Sequence, residues 1–193
     1  MKFLTASAFA ALTATAALAD PIAYEFDRTH TEINASWIHL GLSRQSIQFT
    51  DYEGTLLLDM GTPSNSTVDV TFNLIDGFWV GAHHERFIAH LNSEDLFNTA
   101  EFPTAHFVAT SFETEDGQTG TMTGDLTLLG NTGPVTLDVT LNGVNEERGL
   151  AGFTATTTIL RSEWGLGYAV PAISDEIIIT INTELELITG DAE

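Results

Sequence analysis

The chain has no cysteine, one lysine and five prolines in 193 residues. The missing cysteine excludes disulfide staples, thiol nucleophiles and a lipobox lipid anchor, so a packed interior must hold the fold together. The only lysine is Lys2, and it stands before the only long hydrophobic run, from Phe3 to Ala17. That run is Ala-rich, is broken by threonine and serine, and ends at Ala17-Leu18-Ala19, a small-x-small cleavage site. Residues 1–19 therefore read as a signal peptide, and the exported mature chain starts at Asp20, in the periplasm. No other segment is long and apolar enough to read as a membrane helix.

Positive charge is nearly absent. Six Lys and Arg face 27 Asp and Glu, a formal charge of −21, and losing Lys2 takes it to −22 with no lysine left. Such a chain does not bind DNA, RNA or an anionic surface through a basic patch. The acidity serves solubility and does not itself name a ligand.

What the sequence has in abundance is two-residue alternation. In Met122–Leu141, Met122, Gly124, Leu126 and Leu128 alternate with Thr123, Asp125 and Thr127. Val135, Leu137, Val139 and Leu141 then alternate with Thr136, Asp138 and Thr140. Side chains on a strand point to opposite faces in turn, so this is a hairpin with one apolar face and one Thr/Asp face. Gly130–Pro134 supplies its expected turn.

The same theme runs through residues 20–193, which read as one domain. Strands are expected at Pro21–Asp27, Glu32–Leu40, Ile47–Met60, Ser66–Ile75, Pro103–Phe112, Gly152–Leu160 and Asp175–Ile188. Turns or loops are expected at Arg28–Thr31, Gly41–Ser46, Gly61–Asn65 and Glu113–Gly117, and a polar connection at Asn142–Leu150. Between residues 76 and 97 the alternation stops. Ala82–Asn92 carries Phe87 and Leu91 at helical spacing and predicts a short helix, and Ser93–Phe97 opens with a capping residue and predicts a further helical turn. Arg161–Gly167 reads as a helical turn or an irregular bend. About eight or nine long strands with one helical insertion must curl or split, and strands of this length favour a curved antiparallel barrel.

The inward faces collect Trp37, Leu58, Phe72, Phe107, Met122, Leu126, Leu137, Val139, Phe153 and Ile179. Small inward residues stand beside them: Ala35, Gly54, Gly124, Ala155, Thr157 and Thr183. An eight-stranded barrel is either just filled by side chains or holds one small ligand, and the small residues favour a ligand. Phe78, Trp79 and Phe87 in the insertion could roof its mouth. His39 is the best inward polar candidate, against the alternative of a core histidine bonded to a backbone carbonyl. Arg161, beside Trp164, either meets an anionic head group or pairs with Asp175 or Glu163; the structural pair is preferred. His83-His84-Glu85 fails the His-Glu-x-x-His pattern because Ile88 stands where the second histidine is needed, and no metal site is assigned. No nucleophile elbow, paired carboxylates or phosphate loop stands out, so no catalytic residue is assigned.

Several motifs occur in a fixed order: Tyr24-Glu-Phe-Asp27 with His30, Trp37-Ile-His39-Leu-Gly41, Phe102-Pro103 with Phe107, Gly124-Asp-Leu-Thr-Leu-Leu-Gly130 with Pro134-Val-Thr-Leu137, and Ile159-Leu-Arg161-Ser-Glu-Trp-Gly165 with Ser174-Asp175. Their order and spacing resemble the YceI-like polyisoprenoid-binding proteins over Tyr24–Leu187. The resemblance implies a lipocalin-like barrel of eight antiparallel strands, an apolar tunnel for an isoprenoid or related amphiphile such as a quinone, no catalytic activity, no cofactor beyond that lipid, and members that can form homodimers. The implied lipid-binding set is Trp37, His39, Leu58, Phe72, Phe78, Trp79, Phe87, Phe107, Met122, Leu126, Leu137, Val139, Phe153 and Trp164. Three positions depart from the usual pattern. Leu129 replaces a histidine, Gly133 replaces a lysine, and Phe87-Ile88-Ala89-His90-Leu91 replaces Arg-Asp-x-His-Leu. Two other functions are compatible with the pattern: an enzyme on a hydrophobic substrate using His39 or the His83, His84 and His90 group, and a stress or assembly protein with a filled core.

Overall fold

Alternating sequence becomes strand almost throughout. The computed structural model describes residues 21–75, 77–81 and 85–189; the expected signal peptide, His83 and His84 lie outside them. The strands are β1 (Ile22–Phe26), β2 (Glu32–His39), β3 (Ser43–Phe49), β4 (Tyr52–Leu58), β5 (Thr67–Asn73), β6 (Phe78–Trp79), β7 (Thr104–Thr114), β8 (Thr119–Leu128), β9 (Asn131–Asn145), β10 (Leu150–Leu160) and β11 (Glu176–Leu187). One helix, α1 (Glu85–Leu91), stands between β6 and β7.

All of the described strand pairs are antiparallel. The ring runs β1-β4-β5-β7-β8-β9-β10-β11 and closes because β11 pairs back onto β1. This is a closed barrel of eight strands with one short helix. β2, β3 and β6 prolong three of its staves: β2 takes over from β1 along β11, β3 pairs with β2, and β6 pairs with β3. Closure removes the exposed sheet edges that an acidic, disulfide-free chain would otherwise have to protect.

Five local expectations shift. The expected strand Ile47–Met60 is two, the end of β3 and β4, with Thr50-Asp51 between them. Ser43–Ser46 belongs to strand β3, not to a turn; all four side chains are exposed, so both faces read polar and no alternation marks the strand. The β8–β9 turn is Leu129-Gly130, with Leu128 paired to Asn131, rather than Gly130–Pro134. Pro134 sits inside β9 opposite Asp125, in a stretch that β10 does not reach, since the β9–β10 ladder runs only from Asp138 to Asn145. Proline fits there because its missing N–H faces no partner strand. β9 also runs to Asn145, which shortens the expected polar connection. Finally, Ser93–Phe97 forms hydrogen-bonded turns and not helix.

Bulges aim side chains that strict alternation would misplace. Phe107 and Phe112 are an odd number of residues apart, yet β7 slips register between Ala109 and Ser111, and Phe112 comes opposite Met122 on the inner face. A similar slip at Gly152/Phe153 keeps Phe153 inside, opposite Leu141. Two packed clusters result. One joins Trp37, Leu74, Phe78, Phe97 and Trp164 near α1. The other joins Tyr24, Tyr52, Leu56, Val70 and Leu185 toward the opposite end.

Candidate ligand tunnel

The inner faces of the barrel do not meet. They enclose a cavity of about 770 Å³, within the range of sites that bury most of a small ligand. Of the sequence-predicted residues, Trp37, His39, Leu58, Phe72, Phe87, Phe107, Met122, Leu126, Leu137, Val139 and Phe153 line it. Phe78, Trp79 and Trp164 do not. Phe78 is buried beneath the lining, stacked on Phe97 with centroids 5.0 Å apart. Trp79 follows it on β6, points the other way and is 59% exposed. Trp164 is buried at the edge of the β8–β9 hairpin, where its Nε1–H donates to the Leu126 carbonyl at 2.9 Å.

The small residues act in two ways. Ala35, Ala155, Thr157 and Thr183 line the cavity and leave it room. Gly54 and Gly124 do not line it. A Cβ on Gly54 would stand 2.4 Å from the Asp69 carbonyl oxygen of the neighbouring strand, so that glycine allows close strand approach. The lining extends beyond the expected binding set. Ile33, Leu56, Val70, Ile177, Ile181 and Leu185, which alternation also puts on inner faces, are in it, as are Ile47, Phe49 and Phe97.

The lining reaches exposed residues at both ends. Around α1 it includes His39, Leu40, Gln45, Phe87, His90 and Tyr168; at the far end it includes Asp59, Met60, Pro63 and Glu113–Thr114. The polar groups there differ in what they have free. Asp59 is turned back on its own loop: Oδ1 accepts from the Gly61 and Thr62 amides at 3.0 and 2.7 Å, and Oδ2 from Asn65 Nδ2 at 2.9 Å. Those bonds, the Asn65 side chain foremost, hold its carboxyl below the usual carboxylate range. Arg161 is only 5% exposed. Neither expected acid pairs with it. Its Nε donates to the Ser174 carbonyl at 2.9 Å, Nη2 to the Tyr168 and Ile173 carbonyls at 2.9 and 3.0 Å, and Nη1 to the Leu166 carbonyl. Asp175 instead accepts from the Ser162 amide and hydroxyl. Burial pushes the Arg161 guanidinium pKa down, and its donors are committed to the backbone, so it offers little to an anionic head group.

His39 differs. Its backbone bridges to Ile173, while no hydrogen bond reaches its imidazole among the described residues, and the expected carbonyl partner is absent. His90 stands edge-on to Tyr168, centroids 5.3 Å apart, with Nε2 3.8 Å from Asp95 Oδ2. Away from the tunnel, Asp27, His30 and Glu184 bring ligand atoms within 4.8 Å of one another; His30 Nδ1 meets Asp27 Oδ2 at 2.5 Å, an ion-pair arrangement that accounts for the grouping.

A YceI-like domain model matches residues 24–185. Protein YceI of Escherichia coli O17:K52:H18 (strain UMN026 / ExPEC) is 34% identical over 188 residues, covering 95% of this chain and 96% of that protein. The chain belongs to the YceI-like family. Solved structures share the fold. BcnA of Burkholderia cenocepacia superposes with a TM-score of 0.74 at 19% identity, covering 82% of this chain and 98% of that one. A polyisoprenoid binding domain from Saccharophagus degradans superposes with a TM-score of 0.66 at 13% identity, covering 86% and 99%. The three departures from the usual YceI-like pattern now have places. Leu129 occupies the β8–β9 turn and packs half-buried on the core. Gly133 lies under Trp164, whose Cζ2 would be 3.2 Å from an added Cβ. Phe87 takes an apolar position in the lining, beside Trp37.

Proposed function

We propose that this protein is a non-enzymatic carrier or store for a long-chain isoprenoid amphiphile, a polyprenyl lipid or quinone, acting in the periplasm after loss of residues 1–19. The observation that supports this most is the cavity of about 770 Å³ running the barrel, lined almost wholly by aliphatic and aromatic side chains. Its likeness in fold to a polyisoprenoid binding domain points the same way. Each CH₂ withdrawn from water gains about 0.8 kcal/mol, so a multi-isoprene tail does not leave the tunnel for water. Moving between a bilayer interior and this tunnel exchanges one apolar surrounding for another, so loading from a membrane is nearly balanced. That balance suits a carrier. An apolar lining of this kind accepts many chain lengths, and the few polar groups at its ends remain to select a head group.

Native mass spectrometry of the purified protein, followed by organic extraction, is expected to find a bound isoprenoid lipid. A protein that is empty as purified and takes up no long-chain isoprenoid would end this reading. The unpartnered imidazole of His39 keeps a second reading in view, an enzyme on a hydrophobic substrate. Turnover lost in His39→Ala with lipid binding retained would favour it.

A further inference from the structure

The two ends of the tunnel differ in their rims. The end away from α1 is acidic, with Glu113 at the end of β7 and Asp59, Glu115 and Asp116 on the loops beside it. The end at α1 is framed by two segments, the β2–β3 turn at Leu40-Gly41-Leu42 and the stretch 165–174 that leads into β11. They are tied together: the Leu40 amide donates to the Ala172 carbonyl at 2.7 Å, and His39 bridges to Ile173. Neither segment contains a charged residue, in a chain of formal charge −21.

Their apolar side chains nevertheless face solvent. Leu42 is 84% and Leu40 56% exposed, with Tyr168 and Val170 also exposed. Leu40 has φ 53° and Ala169 φ 56°. Residues with a Cβ rarely adopt this region, and one held there invites a functional explanation. The rim thus holds leucine outward in a strained turn where glycine or asparagine would sit more easily. Clustered exposed apolar residues around a ligand mouth mark an interaction surface.

Charge selects the occupant. The acidic body and far end are repelled by anionic head groups, whereas the uncharged rim is not, and the charged residue next to the β2–β3 turn is Arg44, with Arg86 exposed on α1 beside Phe87. No acid lies within the two segments; those around this end are Asp95 near His90, Asp175 engaged by Ser162, and Glu85 and Glu163, exposed on α1 and on the 3-10 turn Arg161–Trp164. Leucine and tyrosine with flanking arginine are the residues that settle at a membrane–water boundary.

We propose that the rim formed by Leu40, Leu42, Tyr168 and Val170 docks on a lipid bilayer, and that the ligand enters and leaves the tunnel there, by the mouth beside His90. The proposal rests on the lipid-carrier reading, and two readouts separate them. The first is flotation of the purified protein with phosphatidylcholine vesicles, with and without phosphatidylglycerol. The second is uptake of a long-chain quinone, delivered either from those vesicles or from detergent. Leu42 does not line the tunnel, so Leu42→Asp is expected to bind detergent-delivered quinone as wild type does. It is also expected to lose flotation and to take quinone from vesicles at least about tenfold more slowly. Equal flotation and equal vesicle uptake by the two proteins would overturn the proposal. So would light scattering showing that Leu42→Asp turns a dimer into a monomer, which would put a second copy on the rim. Wild type that takes no quinone from detergent would count against the carrier reading, while flotation still decides docking.

Discussion

The ring of Phe107 occupies the space where a side chain on Gly124 would stand. An added Cβ there would be 2.4 Å from Phe107 Cζ and 2.5 Å from the Val108 carbonyl oxygen. The ring could swing into the cavity, but the carbonyl belongs to the β7 backbone and cannot. Gly124→Ala should therefore destabilise the barrel by about 2 kcal/mol through overpacking and push Phe107 into the tunnel. Gly143, with nothing within 4 Å of its added Cβ, is the matched control. Urea unfolding of the two variants checks this: equal midpoints would refute it.

Reading the sequence located the barrel because one face of nearly every strand is buried, and burial on one face writes alternation into the chain. It located ten tunnel residues of the expected binding set for the same reason, and Phe87 through helical spacing in the insertion. It could not separate lining from packing where alternation says only "inward". Phe78 stood in the insertion, where alternation gives no direction, and a stacked Phe97 covers it. Trp79 was expected with Phe78 and Phe87 to roof the mouth, and the pairing of β6 with β3 turns it outward. The first half of β3, Ser43–Ser46, was read as a turn because it is polar and exposed on both faces and has no buried face to report. Gly124 was read as empty space because a sequence does not show which neighbour fills a glycine's place.

Filling the tunnel should abolish long-chain binding without unfolding the barrel. Ala155 lines the cavity at mid-strand, paired with Val139 on one side and Ile181 on the other. Ala155→Phe projects a ring into existing space, so it replaces ligand rather than displacing protein atoms. Quinone affinity is expected to fall at least about tenfold, the effect of losing contact with a few buried methylenes. Titration of the variant against wild type, with its thermal midpoint measured alongside, tests this; unchanged affinity would show that the chain does not pass mid-barrel.

Arg161 holds the Leu166–Ser174 segment by its backbone. Removing the guanidinium leaves four carbonyls without their charged donor, and each such loss in a buried place is expensive. Arg161→Met should lower stability by about 3 kcal/mol. Arg161→Lys should restore only part of it, since an ammonium cannot spread its donors across four carbonyls in the same plane-bound pattern. Hydrogen exchange should show residues 166–174 losing protection first. A lysine variant as stable as wild type would contradict this account.

Asp27 and His30 make stability depend on pH. Asp27 accepts from the Thr29 hydroxyl, the Thr29 amide and His30, and these bonds hold its carboxyl well below its ordinary 3.8. Its contribution is present above that value and declines as pH falls through the depressed one. His30 is raised above its ordinary 6.5, first by the Asp27 bond and charge, with Glu184 and Glu186 adding to it. Its contribution is full below 6.5 and declines as pH rises through the raised value. Both are present together between 3.8 and 6.5. The stability difference between wild type and His30→Gln should be largest in that window and shrink on both sides. A difference independent of pH would show that the pair does not titrate with folding.

Two turns place leucine at positive φ ahead of glycine, and they should respond differently to the same substitution. Leu40 and Gly41 have φ 53° and 69°; Leu129 and Gly130 have 50° and 71°. Asparagine tolerates this region better than leucine, because its short side chain can bond locally, and the gain is about 1 kcal/mol. Leu40 is mostly exposed and gives up little buried surface, so Leu40→Asn should raise stability by nearly that amount. Leu129 is half-buried against the core. Its loss of apolar contact, about 1 kcal/mol, offsets the backbone gain, and Leu129→Asn should be close to neutral. Paired urea titrations distinguish the two: stabilisation of similar size at both turns would mean that Leu129 contributes no packing, and none at either would mean that neither turn is strained.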